Sequence, residues 1–261
     1  MKKALIIGDS CIDVFVYGKC KRLSPEAPVP VLNPINTVIN DGMAYNVYKN
    51  VKSLGFFCNI ITNDDKPRKT RYVDKESNQT LLRVDENDVI ERILQNKLLG
   101  INFTEYDVVI ISDYNKGFLS EEDIEFISRQ HNWVFMDSKK KLGNWCSYIN
   151  VIKINEKEQM SNMDWIPENY NKYLIVTLGS RGSMYNNIIY PIEEIHPVRD
   201  LSGAGDTYLA ALVVEFLRST DMVKAIKFAN KCASWVVTQK GITVVDLEKM
   251  NHPRTKDSWV S

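Results

Sequence analysis

The chain has 261 residues, 44% of them hydrophobic, which suits one large α/β unit with a sizeable core. Lysine plus arginine balance aspartate plus glutamate at 33 each, arguing against a nucleic-acid or membrane-surface partner, and no apolar run approaches a membrane span. Five scattered cysteines with no CxxC pair read as reduced thiols in a cytoplasmic protein, while the spacing of His131, His196 and His252 and the lack of a GxSxG elbow argue against a His-based zinc site and a Ser-His-Asp hydrolase.

In chain order, the apolar run 3–8 ends at a glycine and reads as a buried first strand rather than a leader peptide. Segments 12–18 with 29–35, and later 70–84, read as short extended pieces broken by Pro25, Pro28 and Pro30, forming a small β lid at about 12–35 and 70–84. Helical patterns follow over 43–54, 89–99 and 121–130, and buried-strand runs over 108–112, 133–136, 151–154 and 173–177. A helix is expected over 207–218, and the polar tail after Val245 reads as a loose terminus. This alternation predicts an α/β fold, a mostly parallel sheet covered on both faces, with ligands at the carboxyl ends of its strands.

The sharpest feature is Asp200-Leu-Ser-Gly-Ala-Gly-Asp206 ahead of a helix. The backbone of Gly203, Ala204 and Gly205 can converge on an anion there, and Asp206 can accept a proton, kept ionised by the helix dipole. The bland reading is an ordinary helix start capped by Ser202 or Asp206. Asn155 and Glu158, just past a strand, suit a magnesium ion held through water, or equally a cap followed by a surface charge. Thr177, Gly179 and Gly182 mark a phosphate loop or a hairpin turn; with no GxxxxGK[ST] in the chain, any ATP site is not a P-loop. Asp9 and Asp13 beyond the first strand suit sugar hydroxyls, or a turn held by its own side chains.

Together these segments resemble the ribokinase-like (PfkB) carbohydrate kinases, and within them the heptose-7-phosphate kinases, from Leu5 to about Val245. The family's D-x-T-G-A-G-D is matched by 200–206 with Ser202 for Thr, its N-x-x-E by Asn155 and Glu158, and its V-T-x-G-x-x-G by 176–182. The heptose-kinase flavour lies in residues 8–13, 22–31 (R-L-S-P-E-A-P-V-P-V), 81–85, 112–117 and 137–139. The resemblance implies a single ribokinase-like three-layer α/β/α domain over 1–261, with ATP and Mg²⁺ along the carboxyl edge of the sheet and sugar beneath the lid. It makes Asp206 the base, Gly203, Ala204 and Gly205 the anion hole, and Lys139 a further stabiliser of charge. Asn230 and Gly241 fall on the adenine side, and Asp9, Asp13, Gly42 and Asn46 on the sugar side. Arg71, Arg83 and Lys116 are the candidates for a distal phosphate. Asp200 and Ser202 are placed to offer oxygens to K⁺ or another monovalent cation.

The substrate implied is D-glycero-D-manno-heptose 7-phosphate, and the assembly a homodimer through the lid. Relatives often carry a nucleotidyltransferase as well, for which 261 residues leave no room, so a separate enzyme is expected to take the product on. Four departures from the family pattern stand out: Gly42-Met43 stands for the family's Gly-Gly and a strand and helix are missing between Gly55 and Thr70, both bordering the sugar pocket in the family, the stretch after Glu158 is short, and residues 137–140 replace D-P-K-G. They keep two other readings in play, a kinase for another sugar or a nucleoside, and a non-catalytic sugar or nucleotide sensor.

Overall fold

The protein is described by a computed structural model covering residues 2–165, 173–193 and 197–251, so His196, His252 and the end of the tail lie outside the described residues. Among those residues the main sheet has eight strands in the order β12-β11-β10-β9-β8-β7-β1-β4. They are β1 (Lys3–Gly8), β4 (Phe57–Ile61), β7 (Val108–Asp113), β8 (Val134–Ser138), β9 (Val151–Asn155), β10 (Tyr173–Thr177), β11 (Ser183–Tyr185) and β12 (Ile188–Tyr190). All neighbours pair in parallel except β10 with β11 and β11 with β12.

Continuous apolar runs are required because both faces are covered, and alternate side chains enter different cores. Ala4, Ile6, Val108, Ile110 and Phe135 join one cluster with helices α1 (Ala44–Ser53), α5 (Ala204–Ser219) and α6 (Met222–Val236). Leu5, Ile7, Val109, Ile111 and Met136 join the other, with Ile124 and Ile127 of α3 (Glu121–Arg129) and Leu98 of α2 (Gln95–Leu99). That is the expected three-layer arrangement. Short helices α4 (Glu156–Ser161) and α7 (Leu247–Asn251) complete it.

A second sheet, ordered β3-β2-β5-β6, stands off the first as a lid: β2 (Ser10–Leu23), β3 (Pro30–Met43), β5 (Arg68–Asp74) and β6 (Thr80–Glu86). Its strands are longer than the broken segments expected. Pro30 opens β3 and Pro34 lies within it, opposite a register shift at Gly18, and β3 is an edge strand, where a missing N–H costs no ladder bond.

Two further expectations need correction. Residues 89–94 are not helical, because the N–H groups of Ile90 and Ile93 donate to the carbonyls of Lys116 and Phe118, so these side chains reach the core from an extended segment. The tail is not loose throughout, since α7 lies beyond Val245. Past Gly55, β4 stands at the sheet edge and runs into β5 through a six-residue connection at 62–67.

Candidate active site

Residues just past five parallel strands gather along one edge of the sheet, Asp9 after β1, Tyr114 after β7, Lys139 after β8, Asn155 ending β9 and Gly179 after β10, as parallel topology demands. The first turn of α5 faces them. Its N-cap is Gly203 at φ 79°, with no side chain capping the helix, so the ordinary capped start is not what forms. Glycine is needed at 203 twice over, for the left-handed backbone and because a Cβ would stand 2.6 Å from Asn46 Nδ2. The Ala204 N–H donates to the Leu201 carbonyl, leaving those of Gly205 and Asp206 without an acceptor in the helix.

Asp206 is buried in that turn. Its Oδ1 accepts from the Tyr114 hydroxyl at 2.6 Å and its Oδ2 from Asn46 Nδ2 at 3.0 Å. Asn46 is oriented in turn by Asn50, whose Nδ2 donates to Asn46 Oδ1 and whose Oδ1 accepts from the Val245 N–H. Contrary to the dipole argument, burial outweighs the hydrogen bonds and pushes the Asp206 carboxyl up to about 6, with Asp137 adding to the rise and Lys153 opposing it.

Asp9 and Asp13 sit beyond β1 as expected, though both are engaged. Asp9 accepts from the N–H groups of Tyr114 (2.6 Å), Lys116 and Phe118, which pins the loop carrying Tyr114; burial and neighbouring Asp113 push its carboxyl up to about 6. Asp13 pairs with Arg71. Gly42 is required by that aspartate, since a Cβ would meet Asp13 Oδ2 at 2.0 Å. The following Met43 is buried at φ 60°, ψ −132°, a region almost reserved for glycine, and a strain of about 1–3 kcal/mol is held there. Arg83 forms a two-point pair with Asp85, and Lys116 pairs with Asp88, so all three candidates for a distal phosphate carry carboxylates of their own.

Asn155 and Glu158 form a reciprocal capping box on α4, and Glu158 also takes Lys139 at 2.6 Å. Lys139 bridges on to Asp137, and Asp137 to buried Lys153, whose ammonium lies 3.2 Å from where a Cβ on Gly205 would be. Asp200 closes a turn by accepting from the Ser202 N–H at 2.8 Å.

A cavity of about 490 Å³, within the range of small-molecule sites, is lined by Thr177, Gly179, Gly182, Asn230, Ala204 and Gly205 among others, joining the strand loops to the open end of α5. Gly182 must be glycine, as a Cβ there would strike the Tyr190 carbonyl at 2.1 Å. Asn230 ties α6 to the β11–β12 hairpin through Ser183 and Tyr190. Gly241 does not line this cavity and lies nearer Asn40 and Tyr17 of the lid. A smaller cavity of about 290 Å³ lies between the lid face (Phe15, Tyr17, Arg71) and residues 198–202.

Sequence reasoning passed over Tyr114, Lys153 and Lys69. Lys153 carried a signal, a lysine inside an apolar strand that must find a partner once buried. Tyr114 carried a weaker one, its place just past a buried strand.

A family model for the pfkB family carbohydrate kinases matches residues 57–250. The bifunctional protein HldE of Helicobacter pylori is 31% identical over 306 aligned positions, covering 96% of this chain and 66% of that protein. HldE of Nitratiruptor sp. is 30% identical over 298 positions, covering 95% and 64%. The chain thus spans just under two thirds of the length of these curated relatives. The ribokinase of Thermotoga maritima superposes with a TM-score of 0.72 at 18% identity, over 100% of this chain and 99% of that one. The phosphofructokinase-2 of Escherichia coli, solved with potassium, gives 0.72 at 13% identity, over 95% and 96%. Among the described residues no helix is long and apolar enough to cross a membrane. A ribokinase-like fold, an uncapped helix end opening on a nucleotide-sized cavity, and a family match over most of the chain agree: this protein belongs to the pfkB family and is an ATP-dependent carbohydrate kinase.

Proposed function

We propose that the acceptor is D-glycero-D-manno-heptose 7-phosphate, phosphorylated at its anomeric hydroxyl to the 1,7-bisphosphate, with Asp206 as the base. The observation that carries the mechanism is the buried Asp206 carboxylate beside the unpaired N–H groups of Gly205 and Asp206 at an uncapped helix end. Asp206 takes the hydroxyl proton as the oxygen attacks the γ-phosphorus in line, and those N–H groups with Lys139 stabilise the charge of the transferring group. ATP lies in the cavity between Thr177–Gly182 and α6. The heptose assignment is supported by where its resembling strings fall: 22–31 on the lid hairpin, 81–85 on β6 of the lid and 112–117 around Tyr114, which bonds Asp206.

Among the described residues no three His, Cys, Asp or Glu side chains cluster as metal ligands. Asn155 and Glu158 are bonded to each other, and Glu158 also holds Lys139; with their oxygens so engaged, the pair fits a Mg²⁺ ion held through its waters and the nucleotide phosphates. When bound, that ion neutralises phosphate charge. The Asp200 carboxylate is turned onto the Ser202 N–H, so this pair fits a monovalent cation through backbone oxygens alone.

The test is ADP release with Mg·ATP and heptose 7-phosphate beside hexoses, hexose phosphates and nucleosides. A kcat/KM at least about tenfold above every other acceptor is expected. Preference for another acceptor would discard the heptose, an outcome the buried Met43 makes worth watching for. Silence on all of them with ATP still bound would favour a sensor.

We further assign a homodimer through the lid. On the lid face opposite Lys69 and Arg71, Ile39, Leu82 and Val84 are 61%, 56% and 37% exposed, an apolar row that a second copy would cover. Gel filtration with light scattering should return a dimer, and Leu82→Asp a monomer; a monomeric wild type at micromolar concentration would refute the assignment. A cytoplasmic location fits the five unpaired cysteines.

A further inference from the structure

The lid's inner face carries one charge more than its carboxylates neutralise. By strand register Lys69 of β5 stands between Asp13 of β2 and Asp85 of β6, with Arg71 and Arg83 side by side one row along. Either aspartate is a natural partner for Lys69. Each is instead drawn off by an arginine, Asp13 by Arg71 and Asp85 by the two-point grip of Arg83. Lys69 is left 7% exposed, and among the described residues no carboxylate lies within ion-pair distance of it; its ammonium stands 5.5 Å from the centroid of the Tyr114 ring, and Asp85 acts on it only from further off. The other lysine buried as deeply among the described residues, Lys153, has Asp137. A cation–π contact orients an ammonium without neutralising it, and an unpaired buried charge is unfavourable until an anion arrives.

From this arrangement we infer that Lys69 is the residue that receives a phosphomonoester on the acceptor, so that the kinase selects sugars already phosphorylated at the end away from the reacting hydroxyl. The inference rests on the reading that the acceptor lies beneath the lid against Asp206. Tyr114 links the two ends of that acceptor, its ring under Lys69 and its hydroxyl on Asp206. Arg71 donates to Asp13 from Nη1 alone, so a phosphate at Lys69 has a second donor on the same strand.

The experiment compares wild type with Lys69→Met and Lys69→Arg on heptose 7-phosphate and glucose 6-phosphate and on the corresponding unphosphorylated sugars, by turnover and by equilibrium binding. Lys69→Met should cut the preference for phosphorylated over unphosphorylated acceptor about 10- to 100-fold, with Lys69→Arg keeping most of it. It should also raise the thermal midpoint of the unliganded protein, because an unpaired buried charge is removed; a merely structural lysine would lower it. Equal losses on both kinds of acceptor, a rise confined to the KM for ATP, or an unchanged preference would each overturn the role. Wild type that binds sugar phosphates through Lys69 yet transfers nothing to heptose 7-phosphate would sink the heptose assignment and leave Lys69 standing. Wild type and Lys69→Met using heptose 7-phosphate equally well would sink Lys69 alone.

Discussion

Asp206→Asn is expected to lower kcat by about 10³-fold while leaving the KM for ATP within about twofold. The amide keeps the size of the carboxylate and can still meet Asn46 and Tyr114 by turning its oxygen and nitrogen, so the first turn of α5 should hold its shape. What is lost is the proton acceptor, and only the transfer step needs one. The same carboxylate sets the pH dependence. With its value pushed up to about 6, Asp206 is protonated and inactive on the acid side, and the rate climbs as pH rises through about 6. The Tyr114 hydrogen bond opposes that rise, so Tyr114→Phe should move the midpoint further up as well as slow the reaction. A profile flat from pH 5 to 8, or an Asp206→Asn protein with more than a tenth of wild-type kcat, would remove Asp206 from its role.

Lys153→Met should destabilise the protein by about 3 kcal/mol at neutral pH. Lys153 and Asp137 are both buried and paired, and removing the ammonium strands a carboxylate in the core. The loss sits at the low end for a broken buried pair because Lys139 remains 3.1 Å from Asp137. Burial pushes the Asp137 carboxyl up, yet Lys153 and Lys139 together hold it below the usual range. In the wild type its contribution is therefore present at neutral pH and is lost only as pH falls through that depressed value. Without Lys153 the folded-state value moves upward, and stability is lost as pH rises from about 4 toward neutrality, so the deficit should be larger at pH 7.5 than at pH 5. Denaturant melts at the two pH values decide it: a deficit below about 1 kcal/mol, or one independent of pH, would show that Asp137 does not rely on Lys153.

Lys69 and Lys153 share a chemistry and a depth of burial but not a prediction. One is paired and supports the fold; the other is unpaired and waits on a ligand. Replacing each with methionine should move stability in opposite directions, a contrast that residue type alone does not contain.

The layered α/β fold, the parallel strands, the lid's existence and the helix that begins at the glycine-rich turn are all legible in the residues alone. Those follow from local periodicity and from Gly, Pro and Asp at particular steps, features a strand or helix expresses over a few residues. The sequence also placed Asp206 at a helix start, though not the direction in which its environment shifts it. Tertiary structure alone decided that Asp206 is held by Tyr114 and Asn46, 92 and 160 residues away, and that burial outweighs the helix dipole. It decided too that Ile90 and Ile93 meet the core from an extended segment, because their N–H groups found acceptors in the loop at 116–118 rather than in a helix turn. The choice among charges belongs to the same class. In sequence Asp13 reads as a sugar ligand and Arg71 and Arg83 as phosphate candidates, while Lys69 and Asp85 carry no assignment, and which of the five pair is settled only when β2, β5 and β6 fix their register.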